Sequence, residues 1–222
     1  MYIQLNGQIL YYEKSGEGTP LILLHGNGET HEIFDVIIPM LARDYTVYAI
    51  DTRGHGLSAT PKEFHYDDMA ADIAAFLAAL HLTKPVLYGY SDGGITGLLF
   101  AAEHPNALSA LIISGANLKP SDLKFRFLHK IKRSYKKNHD PLLGLMLKEP
   151  DLTPAQLAAI QTPTLVLAGS RDIVKKSATK RLAGALPHST LRILPEETHG
   201  SYVEHSPKLY PVLSSFLREN GL

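Results

Sequence analysis

The six residues Gly89-Tyr90-Ser91-Asp92-Gly93-Gly94 limit what this chain can fold into more than any other stretch. The apolar run Pro85-Val86-Leu87-Tyr88 before them reads as a buried strand. Ile95 to His104 after them is rich in Ala and Leu, stops at Pro105, and reads as a helix. Joining strand to helix through Gly-x-Ser-x-Gly demands a sharp turn. Ser91 must take a strained backbone conformation, and positions 89 and 93 come so close that a Cβ would clash. The strain lifts the Ser91 hydroxyl clear of the sheet edge. The helix behind it points N–H groups and a positive dipole end at any anion forming there. A glycine-rich turn with an incidental serine is the plainer alternative, and the flanking strand and helix argue against it.

Strand and helix patterns alternate along the rest of the chain. Residues 2–5 and 9–14 read as strands around the Asn6-Gly7 hairpin turn. Leu21-Ile22-Leu23-Leu24 is an apolar strand ended by His25-Gly26-Asn27-Gly28. A helix is expected from about Thr30 to Leu41, a strand from Tyr45 to Ile50, and a glycine-broken loop from Asp51 to Ser58. Tyr66 to Leu80 has helical spacing of Met69, Ile73, Phe76, Leu77 and Leu80. Beyond the turn, strands are expected at Leu108–Ser114, Thr164–Ala168 and Leu191–Leu194, with helices at Lys175–Leu186 and Pro207–Glu219. Uniformly apolar strands alternating with helices mean an α/β fold: a mostly parallel, doubly wound sheet covered on both faces. At 222 residues the chain suits one domain over 1–222.

Composition narrows the function classes. Twenty-two basic and 22 acidic residues balance, so overall charge makes no case for nucleic acid as a partner. There is no cysteine, which excludes disulfides, thiolate metal sites and a cysteine nucleophile. The N-terminus enters a strand pattern without a basic and apolar leader, and no apolar run approaches the ~18 residues of a membrane span. The expectation is a cytoplasmic protein with no membrane span.

In a parallel sheet, ligands bind beyond the carboxyl ends of the strands. A serine at neutral pH needs a base there, usually a histidine held by a carboxylate. Of 11 histidines, His199 follows the last strand directly, in Glu196-Glu197-Thr198-His199-Gly200, and His205 is the second choice. Asp172, in Gly169-Ser170-Arg171-Asp172, ends the Thr164–Ala168 strand. The loop after Leu108–Ser114 offers Asn117 but no carboxylate before Asp122, so Asp172 is preferred. An oxyanion formed at Ser91 needs two donors. One is the backbone N–H of Asp92; the other comes from Asn27 or its neighbour Gly28. His25 is expected to brace that loop rather than act as a base.

Together these pieces resemble a serine hydrolase of the α/β-hydrolase superfamily. The matching segments are His25–Gly28, Asp51–Ser58, Gly89–Gly94, Gly169–Asp172 and Thr198–Gly200, in the family's order and across nearly the whole chain. The turn with its following Ile95-Thr96 is similar to the biphenyl-hydrolase-like branch, which includes amino-acid ester hydrolases. The resemblance implies Ser91 as nucleophile, His199 as base, Asp172 as its orienting acid, and backbone amides of Asn27 and Asp92 as the oxyanion hole. It implies a small-molecule carboxylic ester as substrate, an acyl-enzyme intermediate, and no metal or organic cofactor. The same set serves amide, thioester or carbon–carbon bond hydrolysis, or a lyase, and a non-catalytic ligand-binding protein can share the fold.

The resemblance also implies a helical lid, here at about residues 118–160. Ser121 or Asp122 is expected to cap a helix with Leu123, Phe127, Leu128, Ile131 and Tyr135 on one face, followed by pieces at Leu142–Lys148 and Pro154–Ile160. Between Lys119 and Lys148 nine basic residues face only Asp122 and Asp140, a local charge of +7 that leaves −7 on the rest. This is a solvated helix face, a means of steering an anionic substrate, or a docking face for an anionic surface. So short a lid suggests small or modest-sized esters. Asp92 is either turned aside and hydrogen-bonded, or holds a cationic substrate group.

Overall fold

Eight strands order as β1-β2-β4-β3-β5-β6-β7-β8 in a computed structural model that describes residues 1–222. They are β1 (Tyr2–Leu5), β2 (Gln8–Ser15), β3 (Thr19–Leu24), β4 (Tyr45–Asp51), β5 (Val86–Tyr90), β6 (Ala110–Ser114), β7 (Thr164–Gly169) and β8 (Ser189–Leu194). β1 and β2 pair antiparallel, as do β2 and β4; every other pairing is parallel. The helices are α1 (Ile38–Leu41), α2 (Tyr66–Ala79), α3 (Asp92–Glu103), α4 (Phe125–Asn138), α5 (Pro141–Lys148), α6 (Pro154–Ala159), α7 (Lys176–Ala185) and α8 (Leu209–Glu219).

The central strands are apolar throughout because both faces are buried. Alternate residues of one strand therefore enter different cores. Ile22, Leu24, Leu87, Leu111 and Ile113 join a layer with α2, α3, α6 and α7. Leu21, Leu23, Val86, Tyr88, Ala110 and Ile112 join a layer with α1 and α8 on the opposite face. The chain leaves β3 to form β4 on one side and later returns to lay β5 on the other. That reversal opens a crevice at the carboxyl ends of β3 and β5, where Leu24 pairs in register with Gly89.

Two expected helices are corrected by local chemistry. The stretch from Thr30 to Leu41 is not one helix. Thr30 caps a single 3₁₀ turn, His31–Phe34, and the chain restarts as α1. Pro39 has no N–H to donate and is accommodated only in a helix's first turn. The helix expected from Ser121 or Asp122 instead begins at Phe125. A 3₁₀ turn spans Pro120–Asp122, and Leu123 is extended, bridging to Val174. Asp122 is spent elsewhere: it accepts from the Leu118 amide at 3.2 Å and pairs with Arg181 at 2.5 Å. Ile131 is buried with Leu123, Val174 and Ala178 in a small satellite core, against which Phe127 and Leu128 pack.

The Asp51–Ser58 segment is tied to α2 by a buried ion pair. Arg53 grips Asp72 with two bonds of 2.7 Å and reaches Asp68 at 2.8 Å, while Asn6 adds a donor to Asp72 at 3.1 Å. Asp72 is only 2% exposed. Removing one partner strands a buried charge, so Arg53→Met should lower the unfolding free energy by about 3–5 kcal/mol in urea denaturation. A loss below about 1 kcal/mol would contradict this role.

Candidate active site

Ser91 ends the turn between β5 and α3 with φ 52° and ψ −112°. A side chain at positive φ is strained, typically by about 1–3 kcal/mol, and close packing holds it there. A Cβ at Gly89 would collide with the Gly93 carbonyl. A Cβ at Gly93 would strike the Leu24 carbonyl at the end of β3, a partner the sequence did not disclose. Hydrogen bonds complete the clamp. The Ser91 amide donates to Ser114 O at 2.7 Å and the Gly93 amide to His25 O at 3.1 Å.

His199 comes from the loop after β8 and Asp172 from the loop after β7. The imidazole Nε2 lies 3.0 Å from Ser91 Oγ, and Nδ1 lies 2.7 Å from Asp172 Oδ1. An ionised carboxylate only accepts, so the pairing selects the tautomer with the proton on Nδ1. Nε2 is then left to accept from the serine hydroxyl. Burial alone would push the Asp172 carboxyl up. The His199 ring and the amides of Val174 (3.0 Å) and Gly169 (3.3 Å) outweigh burial and hold the carboxyl below its ordinary value. Gly115, at φ 65°, lies beneath the ring, and a Cβ there would press on His199 Cε1 and Nδ1. Tyr90 packs at the ring's side with centroids 5.1 Å apart.

The neighbouring loop distinguishes the two amides left open by sequence. The Gly28 amide donates to His55 Nε2 at 3.0 Å and is thereby occupied. The Asn27 and Asp92 amides donate to no backbone carbonyl. The Asn27 side chain joins them, donating to Asp92 Oδ2 at 2.9 Å and to Leu142 O of α5 at 3.3 Å. Asp92 is thus hydrogen-bonded aside. Burial raises its carboxyl against the opposing pull of Asn27, Tyr66, His55 and His199. It does not line the cavity above Ser91.

His25 braces the loop as expected. Its Nδ1–H donates to Gly26 O at 2.8 Å and its Nε2 accepts the Thr52 amide at 3.1 Å. Burial first, and His55 second, push the His25 ring down to about 4. His205 sits elsewhere, on Asp35 at 2.9 Å, and Asn117 bonds Lys119 O.

A cavity of about 420 Å³ opens over Ser91 and His199. Phe127, Ile131, Leu143 and Met146 of α4 and α5 form its apolar wall. Glu29, Glu204 and Lys130 also line it. Sequence reasoning missed the two glutamates. Glu29 accepts from the Gly26 amide at 2.9 Å and Glu204 from the Tyr90 hydroxyl at 2.9 Å. Burial, then the neighbouring Glu204, push the Glu29 carboxyl up to about 7. No adjacent pattern in the sequence pairs these two positions.

Residues 19–136 match the family model described as alpha/beta hydrolase fold. The chain is 27% identical to the AB hydrolase superfamily protein YisY of Bacillus subtilis, over 93% of this chain and 94% of that one. It is 27% identical to the serine hydrolase BPHL of Mus musculus, over 97% of this chain and 85% of the relative. Among solved structures it is similar to the esterase RhEst1 from Rhodococcus sp. ECU1013, with TM-score 0.78 and 25% identity, covering 99% of this chain and 98% of that one.

His25 carries a pH signature. Its ring is neutral in the fold and takes up a proton at about 6.5 when unfolded, so the unfolded chain binds more protons between the two values. The contribution to stability is present above pH 6.5 and lost as pH falls toward 4, a difference of roughly 3 kcal/mol. Denaturant titrations of wild type and His25→Gln across that window should show a shallower acid slope in the variant. Identical slopes would contradict the burial argument.

Proposed function

We propose that this chain, which belongs to the α/β-hydrolase family, is a serine hydrolase that cleaves small or modest-sized carboxylic esters through an acyl-enzyme. One observation carries the reading. A single imidazole bridges a buried carboxylate at 2.7 Å and the strained serine hydroxyl at 3.0 Å. The serine hydrolase and esterase named among its relatives support the same class of chemistry.

The steps follow from proton bookkeeping at these atoms. Ser91 Oγ attacks the acyl carbon while its proton passes to His199 Nε2. Asp172 stabilises the imidazolium through the Nδ1–H bond and keeps its own charge. The carbonyl oxygen becomes an oxyanion between the Asn27 and Asp92 amides, a pair of donors worth roughly 3–4 kcal/mol each. Collapse expels the alcohol, which takes the proton from Nε2. Water then repeats the sequence against the acyl-serine with His199 as base, releasing the acid and restoring Ser91.

Residues 118–160 serve in this reading as a short lid over the single domain. The cavity volume falls in the lower part of the range for small-molecule sites, about 300–1,000 Å³, in keeping with compact esters.

Ser91→Ala should abolish labelling by a fluorophosphonate probe and lower kcat by roughly 10⁶-fold, and Asp172→Asn should lower it by about 10⁴-fold. Labelling that survives in Ser91→Ala would overturn the assignment. Across p-nitrophenyl esters, kcat/KM should peak at short acyl chains. A value still rising at about twelve carbons would contradict the compact pocket.

A further inference from the structure

The outer face of α4 has a character that ester hydrolysis does not explain. The helix carries Arg126, Lys130, Lys132, Arg133, Lys136 and Lys137 with no carboxylate among its 14 residues. All six cations are exposed. The ion pairs of this chain engage other groups, so these charges have no internal counterpart. The nearest carboxylates along the chain are committed: Asp122 to Arg181, and Asp140 to the Leu142 amide.

The start of the helix adds two features. The Leu123–Val174 bridge and the bond from the Lys124 amide to Ile173 O bring Lys175 and Lys176 alongside Lys124. Both are exposed. Here Phe125 projects with 79% of its surface exposed, more than any other large apolar side chain of the protein. Its only aromatic neighbour is His129 on the same helix, at 6.1 Å between centroids. An exposed phenyl ring set among cations gains nothing from water.

We propose that the outer face of α4, with Lys175 and Lys176, docks this protein peripherally on an anionic phospholipid surface, with Phe125 entering the headgroup layer. The arrangement suits a bilayer better than a shaped partner. Apart from Lys130, which borders the cavity, the cations form two rows on the outward side of the helix, 126-133-137 and 132-136. A deformable sheet of lipid phosphates meets such charges at any spacing, and its interface accepts an aromatic ring. The opposite side of the same helix lines the cavity through Phe127, Lys130, Ile131 and Ser134. Docking on this face therefore holds the candidate active site within one helix diameter of the lipid.

Vesicle co-sedimentation tests this without relying on hydrolysis, so its outcome is separate from that of the ester reading. The probes are phosphatidylcholine vesicles and phosphatidylcholine vesicles containing about 30% phosphatidylglycerol, each at low and high salt. The wild type should pellet with the anionic vesicles only, and high salt should release it. The variant Lys132→Gln/Arg133→Gln/Lys136→Gln/Lys137→Gln should bind at least about tenfold more weakly, and Phe125→Ala several-fold more weakly. Both variants should keep wild-type circular dichroism and full activity on a soluble short ester, since none of these residues lines the cavity. Equal binding to neutral vesicles, no binding to anionic ones, or unchanged binding by the quadruple variant would overturn the proposal. Retention by duplex DNA or an acidic polypeptide without vesicle binding would overturn it in favour of another polyanion.

Discussion

The geometry of the site depends on one close approach: the glycine turn after β5 lies directly against the carboxyl end of β3. The Gly93 amide bonds His25 O at 3.1 Å, and there is no room for a Cβ between Gly93 and the Leu24 carbonyl. This contact has two consequences. It holds Ser91 at a φ that the residue would not otherwise adopt. It also sets the Asn27 loop beside the first turn of α3, so two amides remote in sequence become neighbours. The topological reversal between β3 and β5 makes the contact available, and packing in both core layers keeps it in place.

From there the support spreads outward in layers. His25 holds the loop that carries Asn27, and His55 occupies the Gly28 amide. Both rings are pushed by burial toward their neutral forms, in which each offers one donor and one acceptor. His55 belongs to the segment that Arg53 fastens to α2 through Asp72. An ion pair in the core is thereby connected to the position of the Gly28 amide, next in the chain to the cavity-lining Asn27. On the other side Gly115, Tyr90 and Asp172 fix the plane of His199. The α4–α5 segment lines the cavity on one side and carries exposed cations on the other.

Much of this was legible in the sequence wherever the determinant is local. The buried strands announced themselves by unbroken apolar runs, and the turn at Ser91 by glycine spacing between strand and helix. Strand ends then placed Asp172 and His199 on one rim, and the coordinates bring them within hydrogen-bonding distance of each other and of Ser91. The misreadings have nonlocal causes, with one exception. Pro39 is a local signal against a continuous helix after Thr30. The start of α4 was displaced because Leu123 pairs with Val174 across the fold. What sets the Gly28 amide apart from that of Asn27 is a ring nitrogen of His55, distant in sequence, which the Gly28 N–H already binds. Glu29 and Glu204 meet only because two loops fold over the same cavity. A glycine directly after β6 could have flagged Gly115 as the floor under an imidazole, and that signal was available.

The central claim is that the hydroxyl held by this turn becomes acylated during turnover. Intact-mass and peptide mass spectrometry after reaction with a slowly deacylating p-nitrophenyl carbamate tests it most directly. The account predicts one equivalent of p-nitrophenol released in a burst, with one carbamoyl group on the peptide containing Ser91. Steady release of p-nitrophenol from a protein that never gains mass, or a modification at any other residue, would contradict it.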